Sequence, residues 1–304
     1  MKGRYYTLIV LTMTFMVMSS CKGKRGTIVN KAIDSGVATT LRTLQDYIRE
    51  CESITYSNLD EAQDTLICRM NYELKNEHEF YSFVSFLNKE PKSLDYDFSK
   101  IQDQFNVKIK TSDDKNFRVY SWGYKYFRYP QSRYDNRNLI QYRQGGKVYL
   151  AEGNYIWDYF VPEAISSDGK NHIVKQKVPE YPVGSFATGI DQIRCKNGKN
   201  LYLVSSMQNY GGIIDFSYFF TAYTIEDTII LKACVFNDGK DITKMLADDE
   251  NPASIELYLS PAAENGNPFT FNKNTGILTA SHKPDQDVID IYQFNGYTFD
   301  KVLQ

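Results

Sequence analysis

Histidine is scarce, with three residues in 304, and tryptophan scarcer, with two. His78, His172 and His282 are scattered, and no cysteine pair has CxxC spacing or a nearby histidine, so no zinc site is expected. The chain has no GxSxG elbow, P-loop, GxGxxG or HExxH motif. No catalytic residue, metal ligand or cofactor is therefore assigned. It also lacks a run of about twenty apolar residues, the length a spanning helix needs, and its mean hydropathy of -0.46 excludes a multi-span membrane protein. Charge of one sign is not in excess: 35 Lys and Arg stand against 37 Asp and Glu. That balance argues against a disordered charged tail and against nucleic acid as a partner. Asp285, Asp287 and Asp290 lack the spacing of an EF-hand and read as a solvated turn.

The N-terminus carries an address. Lys2 and Arg4 precede an eleven-residue apolar stretch, Leu8 to Met18, the dimensions of a signal-peptide core. Met18-Ser19-Ser20-Cys21 follows and resembles a bacterial lipobox, with Met18 in place of the commoner Leu. The resemblance implies cleavage after residue 20 and lipidation of Cys21, an anchor that needs no transmembrane helix. The alternative is a plain secretory signal cut near Ser20, with Cys21 an ordinary thiol. Residues 21–27 form the anchor and a basic leader, Lys22 to Arg25, suited to anionic headgroups. Together with the strand FRVYSWG and the terminal hairpin IYQFNGYTF, the lipobox resembles cell-envelope lipoproteins of Bacteroidetes-type bacteria. That likeness implies a membrane anchor through lipid on Cys21 and no particular activity. Lipoproteins of that kind that reach the cell surface carry acidic residues after the cysteine, so the resemblance implies, for the basic residues here, an anchor facing the periplasm, expected at the outer membrane.

Residues 28–97 read as a helical hairpin. Apolar residues at 28, 29, 32, 33, 37, 41, 44, 48 and 51 repeat at helical spacing. Leu66, Ile67, Met70, Leu74, Tyr81, Val84 and Leu87 form a second stripe, and Pro91 stops it. In such a hairpin Cys51 and Cys68 stand roughly 12 Å apart, too far to bridge.

From residue 98 the period changes to two, and 98–304 reads as an antiparallel β domain. The expected class is mainly β with the helical hairpin in front. Three units are expected, at about 102–151, 190–238 and 254–304, each a four-stranded meander, with first turns near Asp114, Asn197 and Asn274. Such units build propeller-like arrays or a β-sandwich. Cys195 and Cys234 fall on the first and fourth strands of the middle unit, about three strand spacings apart. Four free, buried cysteines are thus expected.

The anomaly is Phe117 to Phe160, which holds 14 aromatic residues, both tryptophans included, interleaved with Arg and Lys. Within it, residues 123–138 read as a polar-aromatic insertion, with composition suited to recognition: aromatic faces stack on sugars or cap a protein, and Arg supplies forked donors. Tyr124, Tyr126, Arg128, Tyr129 and Trp157 are the candidate ligand-binding residues, with residues 152–190 as a lip. The alternative is a long hairpin whose tyrosines pack along their own strand faces. The expected function is a membrane-anchored binding or accessory module for a glycan or an envelope protein. An envelope polysaccharide hydrolase and a purely structural lipoprotein are the rivals. Paired carboxylates for hydrolysis meet only in space and leave no motif.

Overall fold

The computed structural model describes residues 83–98, 107–128, 131–166, 168–176, 185–209, 216–237, 253–259, 267–281 and 289–302. The signal segment, Cys21 with its leader, Cys51, Cys68 and most of the expected helical hairpin lie outside them. Of the hairpin region, residues 83–89 are helical, and Pro91–Asp95 follow as a 3-10 turn with proline in its first turn.

The rest is mainly β, in three open sheets. The first is a meander of β1 (Val107–Thr111), β2 (Phe117–Arg128), β3 (Gln131–Gln144) and β4 (Lys147–Glu152), in that order. The second contains β5 (Tyr159–Val161), β6 (His172–Val174), β7 (Phe186–Arg194), β8 (Asn200–Asn209), β9 (Phe216–Glu226) and β10 (Ile229–Ala233), with β12 (Ser254–Leu259) also on β9. The third contains β11 (Phe236–Asn237), β13 (Phe269–Asn272), β14 (Ile277–Ser281), β15 (Ile289–Phe294) and β16 (Phe299–Val302). β7 to β10 and β13 to β16 are further antiparallel meanders of consecutive strands. Two parallel pairs, β10 with β5 and β11 with β16, make the second and third sheets mixed.

Several strand expectations need correction. Residues 123–138 are not an inserted loop: β2 and β3 pair from Phe117↔Tyr142 to Arg128↔Gln131. Tyr and Phe favour extended backbone whatever charges lie between them. Residues 152–190 also contribute strands, since β5 and β6 from this stretch join the second sheet. The run from Thr228 to Phe236 is broken at Cys234 and Val235, where the chain crosses to the third sheet. Ser254–Leu259, the start of the expected third unit, pairs instead with β9 of the second sheet.

Four of the hairpin turns share one chemistry. Asp114, Asn197, Asn272 and Asn295 each accept a hydrogen bond through the side chain from the backbone N–H two residues on. At the β15–β16 turn, Gly296 has φ +105°, a region that side chains disfavour. A Cβ there would also lie 2.5 Å from Cε of Lys196, whose N–H donates to the Gly296 carbonyl. Gly296→Ala is expected to cost about 1–3 kcal/mol, readable as a lower Tm; an unchanged Tm would show that the turn tolerates a side chain.

Alternation along β8 explains the layering. Tyr202 and Val204 belong to one buried cluster with Phe117, Val119, Ile140 and Tyr142 of the first sheet. Leu201 and Leu203 belong to another with Phe236, Phe269, Leu278 and Phe299 of the third. The second sheet is therefore the middle layer, and residues 201–206 are buried without interruption. The first sheet is covered on its other face too, since Tyr120 packs edge-on against Phe83 and Phe98 of the helical segment. Lys273, from the β13–β14 turn, pairs with Asp113 of the β1–β2 turn and lies 3.5 Å from Asp191 of β7, so one ammonium touches all three sheets.

Cys195 and Cys234 each sit one residue past a strand, β7 and β10, and both are free and buried. Burial pushes their thiols up to about 11 and about 12, with Lys199 opposing the shift at Cys195. Both stay protonated at neutral pH and are poor nucleophiles.

Candidate ligand-binding site

At one end of the interface between the first two sheets, aromatic side chains fill the gap. Phe117 stacks on Tyr202 at 4.5 Å between ring centroids, and the Tyr202 hydroxyl donates to Asp114. Further along β8 the same face carries Ser206 and Gln208, and its neighbours on β9 and β12 include Ser217, Thr221 and Ser254. Phe219, opposite Ser206, stands among these smaller polar side chains, and between the two sheets an open cavity of about 210 Å3 remains. That is below the roughly 300–1,000 Å3 of pockets for drug-sized ligands. Its occupant would be a small molecule or one residue of a polymer.

The floor is the middle sheet, with Val204, Ser206, Gln208, Thr221, Tyr223 and Lys232. The roof is Val119, Asn138 and Ile140 of the first sheet, with Gly153, Asn154 and Trp157 from the short 3-10 turn Gly153–Tyr155 and the residues after it. A Cβ on Gly153 would lie 2.9 Å from Cβ of Asn138, so glycine lets this turn close over β3. Asn138 donates through Nδ2 to the Ser185 carbonyl, and its own N–H donates to Oδ1 of Asn154.

Most of the polar groups pair with one another. Ser185 donates to Ser206 at 2.8 Å, and the Thr221 and Ser254 hydroxyls bond across the strands. Three buried atoms on this side of the sheet have no partner: Oδ1 of Asn138, Nε1 of Trp157 and Oγ of Ser217. An unsatisfied buried group costs about 1–3 kcal/mol, and such groups call for an explanation.

Lys232 is the most unusual member. Its ammonium lies 4.8 Å from the Trp157 ring centroid and 5.8 Å from that of Tyr159, and it has no ion pair among the described residues. Burial without a counter-ion lowers its pKa to about 8. Tyr223, beside it in register, is held above its ordinary value by burial and by Tyr159, so it stays neutral. None of the described lining residues is Asp or Glu. A hydrolase working through a carboxylate pair finds no support in this cavity.

Of the five residues singled out in the sequence, Trp157 is brought into the cavity lining. Tyr124, Tyr126 and Arg128 occupy β2 opposite Asp135, Arg133 and Gln131. In register they fall in phase with Arg118 and Tyr120, whereas the cavity takes Val119 from the other phase. Tyr129 lies outside the described residues. Among the described residues, β1 pairs with β2 as far as Trp122 and β4 with β3 from Leu139, so residues 123–128 and 131–138 extend past these neighbours as a two-stranded arm. Its base is Ser121↔Asn138, at the cavity's edge. Of the histidines, His172 is exposed and 2.7 Å from Asp168, which lowers that carboxyl to about 2. His78 and His282 lie outside the described residues. Asp290 pairs with Lys301 at 2.8 Å, while Asp285 and Asp287 are outside.

Sequence reasoning passed over Asn138, Lys232 and the hydroxyl floor. One signal was present: Lys232 is the only charged residue in the apolar run from Ile229 to Phe236. Comparisons with protein-family models, with curated proteins and with solved structures return no match for this chain.

Proposed function

We propose that this protein is a lipid-anchored envelope lipoprotein, facing the periplasm from the outer membrane, whose inter-sheet cavity binds one sugar residue of a glycan as a binding or accessory module. The lipobox-like Met18-Ser19-Ser20-Cys21 and the basic leader support the anchor and the location. The observation that carries the binding role is Lys232, a half-buried lysine with no counter-ion among the described residues, set beside Trp157 over a floor that includes hydroxyls. A folded core gains nothing from burying an unpaired amine, and costs of this kind concentrate at functional sites. Three meanders of consecutive strands, tied together where Lys273 reaches Asp113 and Asp191, support a propeller-like arrangement of the body.

A protein partner is the second reading, favoured by the β2–β3 arm, whose Tyr, Phe and Arg content matches interface anchors.

Thermal unfolding of the full chain against a panel of bacterial and dietary polysaccharides tests the first reading. A bound glycan at a hundredfold over its Kd adds about 2.7 kcal/mol, a rise of several degrees in Tm. The expected result is such a rise for at least one glycan, lost in Trp157→Ala. No rise across the panel removes the glycan reading and leaves the arm and a protein partner.

A further inference from the structure

We infer that the sugar taken by this cavity is acidic, with a carboxylate that pairs with the ammonium of Lys232. The inference rests on the binding reading above and sharpens it to a ligand class. An ammonium offers three donors and no acceptor, and here it meets aromatic faces rather than oxygen acceptors. The other described residues lining the cavity are uncharged. β9 contributes Tyr223, β5 contributes Tyr159, and the first sheet contributes Val119, Ile140 and Asn138. Asp158 accepts from the backbone N–H of Lys232, but its carboxylate makes no ion pair with the amine. Among the described residues, the lining thus supplies one charge in this cavity and leaves it unmatched.

Neutral hydroxyls would leave that charge desolvated and uncompensated, the costly condition for any buried ion. A carboxylate supplies the missing charge and accepts charge-assisted hydrogen bonds. The remaining hydroxyls of an acidic sugar suit the rest of the lining, where Ser206, Thr221 and Ser254 give hydroxyl partners. Trp157 provides an aromatic wall against a sugar face.

Glucuronate and glucose differ at one position, a carboxylate against a hydroxymethyl group, and make the matched test. Their binding to the full chain is measured by ligand-observed NMR at pH 6.5 and pH 9.5. The expected result at pH 6.5 is glucuronate binding about tenfold or more tighter than glucose, a factor that a single charge-assisted contact supplies. Lys232→Met removes the preference. Raising the pH to 9.5 also removes it in the parent chain, because the amine, at about 8, loses its proton while the carboxylate stays ionised. The pH arm holds whether or not the variant folds. Equal affinity for the two sugars at pH 6.5, or a preference that survives both Lys232→Met and pH 9.5, overturns this inference and leaves the glycan reading standing. Binding of neither sugar overturns both.

Discussion

Phe220→Ala is expected to lower the unfolding free energy by about 3–5 kcal/mol. Phe220 is 1% exposed and lies at the centre of β9, the strand that pairs with β8, β10 and β12. Its ring packs 5.3 Å from Phe269 and 6.1 Å from Phe236, in the cluster that joins the second sheet to the third. Removing it strips contacts from both sheets at once, and hydrogen-bonded strands cannot move in to close the space. Domains are typically stable by only 5–15 kcal/mol, so the variant retains a fraction of the parent's margin. Urea unfolding checks this: the midpoint falls while the slope is unchanged. A loss under about 1 kcal/mol would mean that the layers do not pack through this ring.

The second large effect is expected at Arg118, a guanidinium 4% exposed on β2. Nε donates to Thr111 Oγ1, Nη1 to the Ser93 carbonyl at 2.6 Å and Nη2 to the Tyr96 carbonyl at 2.7 Å. The ring of Phe98 lies 4.8 Å from its central carbon. No carboxylate pairs with it among the described residues, so this is a charge held by carbonyl dipoles and an aromatic face. Beside it Tyr120 donates to Gln141, and Gln141 donates to Ser93, which completes the attachment of residues 83–98 to the first sheet. Arg118→Met keeps the apolar stem but removes three hydrogen bonds, to Thr111 Oγ1 and to the Ser93 and Tyr96 carbonyls. It is expected to cost about 3 kcal/mol. Hydrogen exchange distinguishes this from a general loss: amides of 83–98 should lose protection well before those of β8. Uniform loss across both would show that the helical segment and the sheets open as one unit.

The two variants test different parts of the molecule, and the sequence spoke to them unequally. Alternation and turn residues were enough to read the hairpins around Asp114, Asn197 and Asn295, because an Asx turn is closed within three residues. Phe220 was legible as a strand residue, but its partners Phe236 and Phe269 were not, since they come from strands that reach it only after the chain has crossed between sheets. Residues 123–138 were misjudged for a related reason. Their charges made them look like a loop, yet a backbone ladder forms irrespective of charge when the facing strand is long enough. Trp157 was singled out for its type, and the structure gives it a cavity. Lys232 was passed over because a lone lysine in an apolar run reads as an interruption until its surroundings are known.

The sequence by itself determined the mainly β character of the body, most of the turns, and the two buried, unpaired cysteines at Cys195 and Cys234. These depend on side-chain period and on contacts within a few residues. Tertiary structure alone decided that the second sheet is the middle layer, that β12 joins it, and that a cavity remains between it and the first sheet. A cavity is a volume that no side chain fills, and the residues around it here come from two sheets and a 3-10 turn far apart in the chain. Local pattern carries no record of such a gap, because it is set by which faces meet and by the sizes of the side chains that each presents.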